Sequence, residues 1–244
     1  MATTLYVGTG EGSYATIQAA VNAAKNVAGQ VVIEIAAGEY TENVTFGTRT
    51  FVEDGTTYVG GITFKAAEGA DVTVNGYFQC NGTAGNLKDI VFDGLTINNS
   101  IRNGGYFAPI MFGDNYSGKT ASGIVVQNCT LNSSTGTASG TTSGVALTMG
   151  LTCDGVTIAN NTINAECGVY GGDGNLISNT SITGNTMNGS AEESTYNYWG
   201  MVYIFNSGSG NEVIGNTIDT SAMWAVRMRK GEGIVLADNI IKVS

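Results

Sequence analysis

The chain has 244 residues, among them 36 Gly, 1 Pro and no His, and its 10 basic against 20 acidic side chains give a formal charge of -10. Only 12% of its residues are charged, about half the roughly 25% of an ordinary globular protein. This composition excludes a polyelectrolyte tail, a disordered chain, a collagen and a protein that tracks nucleic-acid phosphates, which needs a concentrated basic footprint. The start Met-Ala-Thr-Thr has neither the basic region nor the apolar core of a signal peptide, and no apolar run approaches the roughly 18 to 20 residues of a membrane span. Thr16 to Asn26 sets Ile17, Ala20, Val21 and Ala24 at helical spacing, which predicts one amphipathic helix with Thr16 as its N-cap, closing one end of the fold. Gln30 to Ile35 alternates Val31, Ile33 and Ile35 as a strand, and further strands fit Val44 to Phe46, Gly61 to Phe64 and Val72 to Val74.

From Ile90 onward one phrase returns: apolar-x-apolar-x-x-Asn-Thr-apolar, with variations. Aligned on its closing apolar residue it gives Ile97, Leu131, Ile163, Met187, Ile218 and Ile241, at steps of 34, 32, 24, 31 and 23 residues. The shortest step suits one coil of a parallel β-helix, three short strands and their bends, and longer steps then carry loops inserted at a corner. A second strand is expected after each phrase, at Tyr106 to Phe112, Val145 to Met149, Gly168 to Tyr170, Met201 to Phe205 and Trp224 to Met228. Two residues before the aligned position stand Leu95, Cys129, Asn161, Asn185, Asn216 and Asn239. Four Asn side chains are therefore expected to stack from coil to coil and satisfy one another's buried amides, a structural role rather than a catalytic one. The final phrase meets only Lys242, Val243 and Ser244, so the last coil is expected to be open and available for an end-to-end contact.

The run Tyr14-Ala-Thr-Ile-Gln-Ala-Ala-Val-Asn-Ala-Ala-Lys25, followed by Val31-Val-Ile-Glu-Ile-Ala-Ala-Gly-Glu-Tyr-Thr-Glu42, resembles the start of pectin-lyase-like right-handed β-helix proteins and is most similar to the pectin methylesterase entry pattern. The resemblance implies an all-β fold, a right-handed parallel β-helix of about eight coils with an N-terminal capping α-helix. A single domain over 1–244 is expected, with the cap helix and first strands in 1–46 and repeated coils in 47–244, as a module of a larger protein. The catalytic Gln-Asp, Asp-Phe-Ile-Phe-Gly and Arg-Pro-Trp motifs of the methylesterases do not occur in this chain, and Ala37 stands where Pro is common. Fold membership alone leaves the function open.

Without His, acid–base work falls to carboxylates, Lys, Tyr or Arg. Arg227 and Arg229 share one face of a strand, beside Lys230, and two guanidiniums there would hold a uronate or sialate carboxylate or act as a lyase base; the alternative is a solvated edge. Tyr198, Trp199, Tyr203 and Trp224 lie in neighbouring coils, where rings either stack on sugars or fill a core. Asp89, Asp154, Asp173 and Glu232 precede repeat phrases and would either line one edge of the stack and bind calcium or simply form turns. Cys80, Cys129, Cys153 and Cys167 lack metal or redox spacing and read as buried thiols.

The leading expectation is a non-catalytic extracellular module of a bacterial surface or secreted protein, adhesive or carbohydrate-binding, with a glycan or cell-surface ligand and no resident cofactor. The alternatives are a calcium-dependent lyase or pectinesterase-like enzyme, with Arg227 or Arg229 as base, and a purely structural assembly module.

Overall fold

The computed structural model describes residues 2–80, 85–102, 106–113, 118–134, 141–147, 150–172, 176–189, 200–221 and 224–243. Its strands stack into three parallel sheets, and the chain visits one strand of each sheet per coil, as in Leu151–Ala159, Thr162–Asn164 and Cys167–Gly171. Among the described residues seven such coils run from Val31–Ile35 to Trp224–Met228, and an eighth contributes Val235–Ala237 and Ile240–Val243. The protein is a parallel β-helix.

The aligned apolar residues pair in the expected register: Ile97 with Leu131, then Ile163, Met187, Ile218 and Ile241. All point into the coil and are fully buried except Ile241, which is 51% exposed on the last rung. The first sheet carries a matching inward file through Phe64, Phe92, Val126, Ile158, Ile182 and Val213, ending at the exposed Leu236. Each buried Ile or Leu in these files contributes about 1.5–3 kcal/mol, so the stack is held by its filled axis.

The corner from the first sheet to the second explains the repeat phrase. From Leu95 onward it is two residues long: a left-handed residue, Gly94, Asn128, Asn160, Gly184, Gly215 or Asp238, followed by an inward one. Gly, Asn and Asp tolerate that backbone where other residues strain. The inward residue is Leu95, Cys129, Asn161, Asn185, Asn216 or Asn239, and the four Asn form the expected ladder. Asn185 donates its side-chain amide to Asn216 Oδ1 at 2.9 Å and to the Ile158 carbonyl at 2.8 Å, while its own Oδ1 accepts from the Asn161 backbone and side-chain N–H groups at 2.9 and 3.0 Å. Asn216 repeats this pattern with Asn239 and Ile182. Cys129 terminates it by donating only its backbone N–H to Asn161 Oδ1, which is why a thiol suffices at that rung.

At the other end, helix Ile17–Ala24 buries Ile17, Ala20, Val21 and Ala24 against the first coils, and the Thr16 side chain accepts from the Ala19 N–H at 3.1 Å. The Glu42 carboxylate accepts from the backbone N–H groups of Ile17 and Gln18, both at 2.9 Å. A carboxylate there satisfies two orphan donors and the positive end of the helix dipole, and Tyr40 steadies the approach by donating to the Ala36 carbonyl. The Gly-Glu-Tyr-Thr-Glu segment thus fastens the cap. Glu42→Ala should lower stability by about 1–2 kcal/mol, read as a shift in urea midpoint with unchanged slope.

One element was not foreseen from the sequence: Thr50–Glu53 turns back on the start of Thr56–Ala66 as an antiparallel hairpin. Beneath it Arg49 is fully buried. At its base Gly60 has φ +122, and a Cβ there would collide with the Lys88 carbonyl oxygen of the next coil. Gly60→Ala should therefore cost about 2–4 kcal/mol, measurable by urea denaturation, and a cost below half a kcal/mol would mean that the coils separate there easily.

Candidate functional site

On the outer side of the third sheet a second buried cluster joins Ala108, Met111, Ala146, Cys167, Tyr170 and Tyr203. Met111, Ala146, Tyr170, Tyr203 and Arg227 follow one another in register. Tyr170 and Tyr203 stack at 5.9 Å, and the Arg227 guanidinium lies 5.6 Å from the Tyr203 ring and 5.7 Å from Trp224. Arg229 sits 4.2 Å above Phe205, with Lys230 at 5.5 Å. The structure thus brings Tyr203, Trp224 and Arg227 together, with Arg229 nearby. Tyr203 is only 5% exposed, however, whereas Trp224 is 44% exposed, so the first is packing and only the second offers a ring to solvent. The arginines stack on aromatic faces, a use of the guanidinium that needs no carboxylate partner. Tyr198, Trp199 and Asp173 lie outside the described residues.

Simple alternation fails at Met201. A period of two along Met201 to Phe205 puts it on the face of Tyr203, but it is fully buried in the main core with Val202 and Ile204. Its sulfur fills the space that a side chain at Gly189 would take, so a small residue on the preceding strand of the same coil draws the flexible chain inward.

The three described turn carboxylates, Asp89, Asp154 and Glu232, have separate surroundings. Asp89 accepts from Gln30 Nε2 at 3.0 Å and Asp154 from Asn179 Nδ2 at 2.6 Å, while Glu232 is exposed. Among the described residues no three Cys, Asp or Glu side chains gather as a metal-binding group. All four cysteines are buried, and none is part of a disulfide. Burial pushes the thiols of Cys129 and Cys153 up to about 12 and raises that of Cys167 as well. A thiolate is the reactive form, so a disulfide reagent at pH 8 should label none of the four in the folded protein and all four after denaturation.

The second sheet holds a feature that the sequence reading passed over. One residue after each inward apolar position, Asn75, Asn98, Asn132, Asn164 and Asn188 point outward and form their own ladder. Each side-chain amide donates to the Oδ1 of the one before it, at 3.0, 2.7, 2.6 and 2.8 Å along the series. The first four of these amides, Asn75 to Asn164, floor an open groove of about 490 Å³, walled by Asn99, Ser100, Ile101, Ser133 and Ser134. Asn99 holds that wall by accepting from the Ile101 N–H at 2.9 Å and donating to the Ile101 carbonyl at 3.0 Å. Ser133 reinforces it by donating to the Phe107 carbonyl. The signal lies one residue beyond the phrase, where Asn follows Thr-apolar at 98, 132 and 164.

An amide carries two donors and two acceptor positions. Asn98, Asn132 and Asn164 each spend one donor and one acceptor on the ladder, leaving one of each per rung, among the described residues, for a ligand. Among the described residues no charged side chain lines the groove. The chain is thus a parallel β-helix with an uncharged, amide-floored groove along one sheet. No protein-family model, curated protein or solved structure matches it.

Proposed function

We propose that this chain is a non-catalytic, carbohydrate-binding β-helix module of a secreted or surface-exposed bacterial protein, related to the pectin-lyase-like fold. One observation carries this reading: the amide-floored groove of the second sheet, which offers repeated donor–acceptor pairs beside the half-exposed Ile101. Sugars present hydroxyl edges and apolar C–H faces, and such a surface meets both. The sparse charge, the abundance of Gly and Asn, and the absence of a helix long and apolar enough to cross a membrane among the described residues accord with this placement. The lyase alternative draws less support, because Arg227 packs on Tyr203 and Trp224 and the turn carboxylates engage separate amides.

A glycan array followed by calorimetric titration tests the proposal. Saturable binding to at least one glycan, with no unsaturated product from acidic polysaccharides and calcium, is the expected result. Absence of any glycan binding, or sustained product formation that disappears in Arg227→Ala, would overturn it.

A further inference from the structure

Building on the carbohydrate-binding reading, we infer that the groove takes a neutral, extended polysaccharide lying along the axis of the β-helix and discriminates against uronate polymers. The described lining presents amides, hydroxyls and one aliphatic side chain, Ile101, and no cation; Arg102, which follows Ile101 in the chain, is exposed and does not belong to that lining. On a chain of formal charge -10, a polyanion would enter against the field of the whole molecule and lose its hydration without a partner. The nearest charges in register lie at the margins, Glu39 beside Thr73 at one end and Asp219 and Lys242 beyond Asn188 at the other.

The direction of the polymer follows from the rungs. Successive amides recur at the strand spacing of about 4.7–4.9 Å, close to the length that one pyranose adds to an extended 1,4-linked glycan. A chain along the axis therefore offers a hydroxyl to each rung in turn, whereas one lying across the sheet meets a single amide. The four ladder bonds all run in the same sense, each amide donating toward the N-terminal cap. The remaining N–H and lone pair of each rung are consequently presented in the same order, which favours a ligand with a regular repeat and one polarity. Discrimination against charge lies in what an amide cannot do: it has no net charge to offset that of a uronate, so each uronate unit adds desolvation cost.

The test is calorimetric titration of the intact chain with neutral 1,4-linked gluco-, manno- and xylo-oligosaccharides of increasing length, and with polygalacturonate, at low and high salt. Affinity should rise with length until the ligand spans the four groove rungs from Asn75 to Asn164, about four sugar units at one unit per rung, and should change little with salt. Asn132→Asp, which places a carboxylate in mid-groove, and Ile101→Ala, at an exposed position, should each weaken neutral-glycan binding about tenfold or more, with the folded state checked by circular dichroism. Tighter binding of polygalacturonate, affinity independent of length, or neutral binding untouched by both variants would overturn the inference while leaving carbohydrate binding in place. Failure of every glycan to bind would remove the underlying reading and this inference with it.

Discussion

Replacement of Asn185 by Leu is expected to lower the unfolding free energy by about 3–6 kcal/mol, although Leu fits the volume and occupies the same corner position at Leu95. The difference lies in what the neighbours require. The corner one coil before Leu95, Ala67 to Asp71, carries no Asn to donate to it, whereas Asn185 Oδ1 accepts both the backbone and side-chain N–H of Asn161. Its own amide donates to the Ile158 carbonyl and to Asn216. Asn185 is 1% exposed and Asn161 2%, so no water replaces the lost partner. Three buried groups are orphaned at about 1–3 kcal/mol each, partly offset by the apolar gain of Leu. The loss is large against the 5–15 kcal/mol typical of a domain. Urea denaturation followed by far-UV circular dichroism measures it, and Asn239→Leu, at the half-exposed last rung, should cost less than half as much. Equal effects at the two rungs would show that the ladder does not act through buried unsatisfied amides.

Arg49→Ala is expected to have a similar effect, about 3–5 kcal/mol, at the opposite end of the stack. Arg49 is the largest fully buried side chain, donating to the carbonyls of Gly60 and Gly29 and lying 5.9 Å from the Phe51 ring. Burial without a carboxylate lowers the pKa of its guanidinium, and its Nε has no hydrogen-bond partner in the structure. What the group contributes is connection: one side chain ties the turn after the cap helix to the base of the Thr50–Glu53 hairpin. Truncation orphans two carbonyls and leaves a cavity beside Phe51 and Gly61. Arg49→Met keeps most of the volume and removes the desolvated charge, so it should recover part of the loss. Hydrogen exchange should then accelerate in 29–35 and 50–62 before the coils beyond Leu87 respond. Uniform acceleration along the chain would contradict this local role.

The regular part of the fold is legible because the coil couples sequence to structure at two adjacent positions. A left-handed residue followed by a ladder residue fixes the corner, and Thr-apolar-Asn fixes the strand after it, so the pairs from Ile97 to Ile241 follow from alignment alone. The helix is legible for the ordinary reason of 3.6-residue periodicity, from Ile17 to Ala24. Features governed by contacts between strands distant in sequence are not. Met201 turns inward because Gly189, on the preceding strand of the same coil, leaves room for it, and Arg49 is buried because Gly60 and Gly29 present carbonyls to it. Neither relation has a local pattern. Coil register sets Tyr203 beside Arg227 and one coil from Trp224, yet burial separates Tyr203 from Trp224 in a way that alternation does not disclose.

The groove was missed for a different reason. Asn98, Asn132 and Asn164 lie in the same repeat as Asn161, Asn185 and Asn216, and both sets form amide ladders. Only the direction of the side chain distinguishes them: the inner set is consumed by backbone carbonyls, whereas the outer set keeps hydrogen-bonding capacity at the surface. Composition counts the two alike, and the ring-and-guanidinium cluster of the third sheet drew the chemical expectation elsewhere.

The measurement that tests the central claim most directly is side-chain amide NMR of the labelled protein during titration with a neutral oligosaccharide that binds. The outer amides of Asn98, Asn132 and Asn164 should shift progressively and saturate together, while the inner amides of Asn161, Asn185 and Asn216 stay in place. Shifts confined to the Trp224 indole and the Arg227 and Arg229 guanidiniums, with the outer amides unchanged, would contradict the account.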